Sequence, residues 1–285
     1  MMTQAALYIV PTPIGNLGDM TLRAIEVLKQ VSVIAAEDTR NSRRLMQHFD
    51  IDTPLVAVHD HNEQQRCQWL GEQLTQGKSV ALISDAGTPL INDPGYHLVA
   101  YCQQQGFDVV PLPGACAAIA ALSASGLPTD RFSYEGFLPA KTKARCDRLN
   151  DLADASHTMV FYESPHRILD SLTDIETCMG AQRRIVMARE ITKTFESILS
   201  MSVHELRQRL IDEPRHQKGE MVLVVAGKPK QKEALPKPAL QTLALLRKEL
   251  PLKKAAALTA QIYDLKKNAL YQYGLEQEKS DQAGE

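Results

Sequence analysis

Five short apolar runs rich in β-branched residues recur through the first 112 residues: Leu7–Val10, Val31–Ala36, Leu55–Val58, Val80–Ser84 and Phe107–Leu112. Between them lie segments of helical apolar spacing at Thr21–Gln30, Thr39–Phe49, Asn62–Gln76 and Pro94–Gly106. A chain that alternates in this way can bury such runs only in a mainly parallel sheet covered by helices on both faces. In sheets of that kind, ligands collect where loops leave the carboxyl ends of the strands. This predicts an α/β fold with its site at those loops.

The second half changes style. Phe132–Leu138, Thr158–Tyr162, Arg184–Ala188, Phe195–Met201 and Glu220–Ala226 read as strands with fewer helices between them, and the closeness of Phe195–Met201 to its predecessor predicts antiparallel pairing. The domains expected are 1–113 and 114–228, with the boundary near Pro113–Ala124. A Lys- and Pro-rich linker (229–238) and a helical segment (239–285) follow, with helices at Ala239–Leu250 and Lys253–Lys267, Pro251 as breaker, and a polar, frayed tail from Glu276. At 44% apolar and 23% charged, the 285 residues carry enough for a real core. Five cysteines (67, 102, 116, 146, 178) form neither a metal-spaced nor a disulfide pattern, which fits a reducing compartment. With no charged leader and no long apolar run, a soluble, cytoplasmic protein is expected.

Three strand ends run into Pro/Gly-rich loops: Val10–Asp19, Ser84–Gly95 and Pro111–Ala117, the last opening a small-residue helix over Ala115–Ser125. None matches a dinucleotide or P-loop glycine pattern, and Pro11 and Pro13 remove two N–H donors that a phosphate would need. Asp85 and Asp93 would repel a phosphate. Rigid, acidic loops suit a ligand with hydroxyls and positive charge, so S-adenosylmethionine fits better than ATP or NAD.

The segments LYIVPTPIGNLGDMTLRA, AAEDTR, SDAGTPLINDPG and LPGACAAIAAL resemble the tetrapyrrole-methylase-like superfamily of methyltransferases. Within it, YESPHR, AREITKTFE and KGEMVLVV look like the bacterial 16S rRNA ribose 2′-O-methyltransferase I branch, over roughly residues 5–228. The resemblance implies two αβα domains with S-adenosylmethionine in the cleft between them, a homodimer, and methylation of a cytidine 2′-oxygen in the decoding centre of the small ribosomal subunit. By position in the motifs it implies cofactor contacts from Ile14, from Ser84, Asp85, Ala86 and Thr88, from Ala115 and Cys116, and from Tyr162 and Ala188.

A base for a ribose hydroxyl must lie within hydrogen-bond reach of it. Two clusters offer one: His59-Asp-His-Asn-Glu63, with His59 and Glu63, and Glu190-Ile-Thr-Lys193, with Glu190 and Lys193, the lysine either lowering the hydroxyl's pKa or acting as base if buried and partly neutral. The bland readings are a helix start capped by Asp60 or Asn62 and a solvated strand-edge lysine. His59 and His61 hint at a metal, but further ligands are not evident and none is expected. For RNA, Arg40, Arg43, Arg44 and Gln47 share one helix face. Lys141, Lys143, Arg145 and Arg148 form a second basic stretch, and His166 and Arg167 are further contacts unless Ser164 and Pro165 simply start a helix. Residues 228–268 hold ten Lys/Arg against three acids, a local +7 in a chain of −2, which suggests RNA or ribosome contact. A small-tetrapyrrole methylase and a non-catalytic RNA-binding module are the alternatives. The basic faces speak against the first and the acidic loops against the second.

Overall fold

The computed structural model describes residues 5–59, 62–229 and 235–282, the side chains of 278–282 apart. One compact unit runs over Met1–Lys228 and a second over Pro229–Glu285. In the first unit, β1 (Ala6–Ile9), β2 (Val33–Ala36), β3 (Leu55–Ala57), β4 (Val80–Ile83) and β5 (Asp108–Pro111) form an all-parallel sheet of order β3-β2-β4-β1-β5. Alternate residues of each strand enter opposite cores. Tyr8 and Val10 join Ile34, Ala36, Ala81 and Ile83 under α1 (Leu22–Gln30) and α2 (Thr39–His48). Leu7 and Ile9 join Ala35, Val80 and Leu82 under α3 (Glu63–Thr75) and α4 (Tyr96–Gln105). Two buried faces explain why these strands read as unbroken apolar runs.

The second sheet has the order β6-β7-β10-β8-β9, from β6 (Phe132–Phe137), β7 (Thr158–Glu163), β8 (Arg184–Arg189), β9 (Ser197–Ser202) and β10 (Met221–Val225). Only β6 and β7 pair in parallel; β10 runs antiparallel to β7 and β8, and β8 to β9. This half holds more helix than its composition suggests: α5 (Ala117–Ala124), α6 (Thr142–Leu152), α7 (Ile168–Met179) and α8 (Val203–Asp212). Met159, Phe161, Met187 and Leu223 are fully buried or nearly so on the face covered by α6, α7 and α8. Each such side chain contributes about 1.5–3 kcal/mol relative to exposure. On the other face, Val160, Val186, Val222 and Val224 meet Ala118, Ala121 and Leu122 of α5, whose small residues let it lie close to the strands.

The second unit is three helices, α9 (Lys237–Leu246), α10 (Leu252–Tyr263) and α11 (Lys267–Gln282), around Ala239, Leu243, Ala255, Ala256 and Leu270. Pro251 caps the start of α10, and Asp264 ends it in a left-handed conformation (φ 50°). Beyond Glu276 α11 continues to Gln282, and Leu270, Tyr271 and Tyr273 of the same helix pack into this core. Residues 230–234 of the linker lie outside the described residues, as do Asp60 and His61. No described helix is long and apolar enough to cross a membrane.

Candidate active site

The three Pro/Gly loops form one structure. Thr12 and Gly87 exchange backbone hydrogen bonds at 2.9 and 3.0 Å, so the loop after β1 is stitched to the loop after β4. The Thr88 hydroxyl donates to the Ala115 carbonyl at 2.8 Å, tying in the third loop. Gly114 lies so close to Pro11 that a Cβ there would stand 2.5 Å from the proline ring, which is why glycine is needed. Leu90 and Asn92, between them in the second loop, hold left-handed φ values of 72° and 70°. Strain of this kind costs about 1–3 kcal/mol per residue and persists where the surroundings over-determine the backbone.

Above this platform opens a cleft of about 280 Å³. Its first-half wall is Ile14, Ala86–Thr88 and Ile91–Asp93, followed by Cys116 and Ala117 at the start of α5. The opposite wall comes from strand termini of the second sheet: Phe137 of β6, Tyr162 and Glu163 of β7, Ala188 and Ile191 at β8, and Glu220–Val222 at β10. Because β10 is antiparallel, its beginning lies beside the ends of β7 and β8.

Electrostatics divide the polar groups. Burial, reinforced by Cys116, pushes the Tyr162 hydroxyl up to about 12, and that hydroxyl accepts a hydrogen bond from the Ala118 N–H at 3.3 Å. Glu163, buried although it borders the cleft, accepts from the Ser164 N–H (2.7 Å), from Arg167 (2.8 Å) and from the Ser171 hydroxyl. Lys193 lies 3.2 Å from Glu190 and 2.9 Å from Glu220. Burial works against its charge, but the two carboxylates together outweigh it and raise its pKa. The Glu220 N–H, donating to Glu190, is the largest of the influences that hold that carboxyl below its ordinary value.

Of the expected cofactor contacts, Ile14, Ala86, Thr88, Cys116, Tyr162 and Ala188 line the cleft. Ser84 and Ala115 do not line it; each is bonded to a lining residue, Ser84 donating to the Gly87 carbonyl at 3.3 Å and the Ala115 carbonyl accepting from Thr88. Asp85 does not line the cleft; its carboxylate accepts from the Asp38 N–H (3.2 Å) and from Asn41 (2.9 Å). Glu63, only 4% exposed, accepts at one carboxylate oxygen from the N–H groups of Gly95, His97 and Leu98, thereby caps α4, and does not line the cleft. Neither Lys193 nor Glu190 lines the cleft, though their partner Glu220 does, and the two carboxylates favour the charged form of Lys193. His59 does not line the cleft; its N–H donates to Asn62 at 2.9 Å, so the Asn62 side chain turns back instead of capping α3.

Among the basic residues, Arg43 and Arg44 are exposed on α2. Arg40 is also exposed but paired with Asp38, whose carboxyl it pulls down to about 2. Lys141, Lys143 and His166 are exposed. Arg145 is not available: it is 2% exposed, bonded to Asp174 at 2.7 Å and to the Pro139 and Ala140 carbonyls. Arg148 is paired with Glu135. Ser164 does not cap a helix; residues 165–167 form a turn, and α7 starts at Ile168. Phe137, Glu163 and Glu220 escaped the sequence reading, although Glu220 stands inside the KGEMVLVV motif.

Two sheets whose strand ends close on one acidic, partly apolar cleft define a methylase of the tetrapyrrole class, and the family described as Tetrapyrrole (Corrin/Porphyrin) Methylases matches residues 6–207. The RsmI C-terminal HTH domain matches residues 233–278. The chain belongs to the ribosomal RNA small subunit methyltransferase I family: it is 60% identical over 271 residues to the protein of that name from Pasteurella multocida (strain Pm70), covering 95% of this chain and 96% of that one. By fold it is similar to the methyltransferase CobJ, with TM-score 0.57 and 19% identity over 79% of this chain and 95% of that one. It is likewise similar to uroporphyrin-III C-methyltransferase from Thermus thermophilus complexed with S-adenyl homocysteine, with TM-score 0.52 and 17% identity over 78% and 97% of the two chains.

Proposed function

We propose that the protein transfers a methyl group from S-adenosylmethionine to the 2′-hydroxyl of a cytidine in 16S rRNA of the small ribosomal subunit. The observation that carries this is the cleft itself, an apolar slot with carboxylates at its edge in a chain 60% identical to a relative named for that RNA. The residues present fit the cofactor. Gly87, at φ 86°, leaves open a space in which a Cβ would stand 3.3 Å from Ile14. Ile14, Ile91, Ala188 and Val222 offer an apolar bed for a base, and Asp93 and Glu220 bring negative charge to a cationic ligand. When bound, the cofactor supplies a methyl carbon activated by a positive sulfur.

The chain's own residues then have three tasks. The stitched loops hold the donor's seat rigid, so that much of the acceleration comes from alignment. Tyr162, protonated at neutral pH, serves as a hydrogen-bonding wall and not as a base. Lys193, its charged form favoured by Glu190 and Glu220, favours the ionised form of a hydroxyl brought beside it, and Asp93 and Glu220 are lining carboxylates that can receive the hydroxyl's proton. The exposed Arg43 and Arg44 face, with Lys141 and Lys143, grips phosphates without reading bases. The helical second unit adds basic surface for the same particle.

Small subunits lacking the modification, incubated with methyl-labelled cofactor, test the reading. Label in RNA that resists alkaline cleavage at the adjacent phosphodiester is the expected result. Label on a tetrapyrrole alone overturns it.

A further inference from the structure

Phe137 faces the cleft because β6 contains one extra residue. Tyr134 stands opposite Val160 of β7, but the next pairs are Gly136 with Phe161 and Phe137 with Tyr162, leaving Glu135 as a bulge. Without it, strict alternation would set Phe137 opposite Glu163, on the face where Phe161 is buried in the α6–α7–α8 core. The bulge turns the ring to the other face, edge-on to Tyr162 at 5.7 Å and still 48% exposed. Gly136 permits this at φ 66°, and a Cβ there would stand 2.9 Å from Asn92 of the cleft loop. A large apolar ring has thus been moved out of a core and set at the cleft, and bulges beside active sites re-aim side chains in this way.

The ring has a fixed neighbour. The Arg167 guanidinium lies 6.0 Å from the Phe137 centroid, held by buried Glu163 at 2.8 Å and by the Leu138 carbonyl at 3.2 Å. Its position is set from inside the protein before any ligand arrives.

We propose that Phe137 is a stacking platform for the target nucleobase of a single-stranded RNA segment, with Arg167 fixed at the platform's edge. The proposal rests on the RNA reading above. A ribose hydroxyl can enter a cleft of this size only if its nucleotide leaves the helical stack, and the base then exposes both faces. An exposed aromatic ring restores one stacking contact, and a guanidinium beside it offers planar donors to the base or its phosphate.

The test uses the full chain with Phe137→Leu and Phe137→Trp, assayed on small subunits lacking the methyl group, with S-adenosylhomocysteine affinity measured in parallel. Loss of stacking in the leucine variant is expected to lower kcat/KM for the RNA by roughly tenfold to a hundredfold. The RNA kcat/KM of the tryptophan variant, which keeps a π-face, and the S-adenosylhomocysteine affinities of both variants should stay within about threefold of wild type. Unchanged kcat/KM in the leucine variant overturns the platform while wild-type RNA methylation keeps the broader reading intact. Equal losses in both variants, or a loss that saturating cofactor restores, also overturn it, the latter by assigning the ring to the cofactor's seat. If wild type itself labels no RNA, the broader reading fails and the platform with it.

Discussion

The Asp85 carboxylate accepts a hydrogen bond from Asn41 in the first turn of α2, at 2.9 Å, and a second from the Asp38 N–H. A cofactor-loop aspartate is thereby committed to holding the helix that carries Arg43 and Arg44. Asp85→Ala should leave S-adenosylhomocysteine affinity near wild type and lower kcat/KM for the RNA about fivefold, the equivalent of one lost hydrogen bond. Calorimetry separates the outcomes: a tenfold or greater loss of cofactor affinity would return Asp85 to the donor's seat.

Arg43→Ala with Arg44→Ala tests the helix face itself. Neither residue lines the cleft, so cofactor binding should be unchanged. If both grip phosphates, the slope of log affinity against log salt should fall by about two. A slope that matches wild type would show a merely solvated face.

The parallel sheet was legible because burial on both faces leaves a continuous apolar signature, as in Val80–Ile83. The loops were legible as loops from their prolines and glycines. What each carboxylate does was not. The neighbours of Asp85 and Glu63 along the chain do not reveal their partners, which lie 44 and 32 or more residues away and are brought close only by the tertiary fold. Phe137 was hidden for a related reason: Phe132–Leu138 reads as one strand, and the extra residue that sets the face of Phe137 is located only by the pairing with β7. The helix α11 was missed because the apolar residues it packs, Leu270, Tyr271 and Tyr273, lie close together at its start and a polar stretch follows them.

Glu63 offers a stability test. Its carboxylate satisfies three N–H groups at the start of α4, a helix whose N-cap is Gly95 and has no side chain to do so. Glu63→Ala should cost about 3 kcal/mol by leaving buried donors unpaired. The melting temperature should fall by several degrees while the folded enzyme keeps its RNA methylation rate. A catalytic Glu63 would give the reverse, a stable protein with little activity.

The Lys193–Glu190 pair predicts a pH signature. The Glu190 carboxyl is held below its ordinary 4.5 in the folded state, so its stabilisation is complete above that value and fades as pH falls through the folded pKa. Lys193 is raised above its ordinary 10.5, so its share is complete below that value and fades as pH rises through the folded pKa. Glu190→Gln should therefore differ from wild type by no more than about 1 kcal/mol across neutral pH, since the lysine is partly solvated. That difference should shrink on acidification below 4.5. Urea unfolding at a series of pH values measures it; a gap that stays constant into strong acid would mean the carboxylate acts through packing and not through its charge.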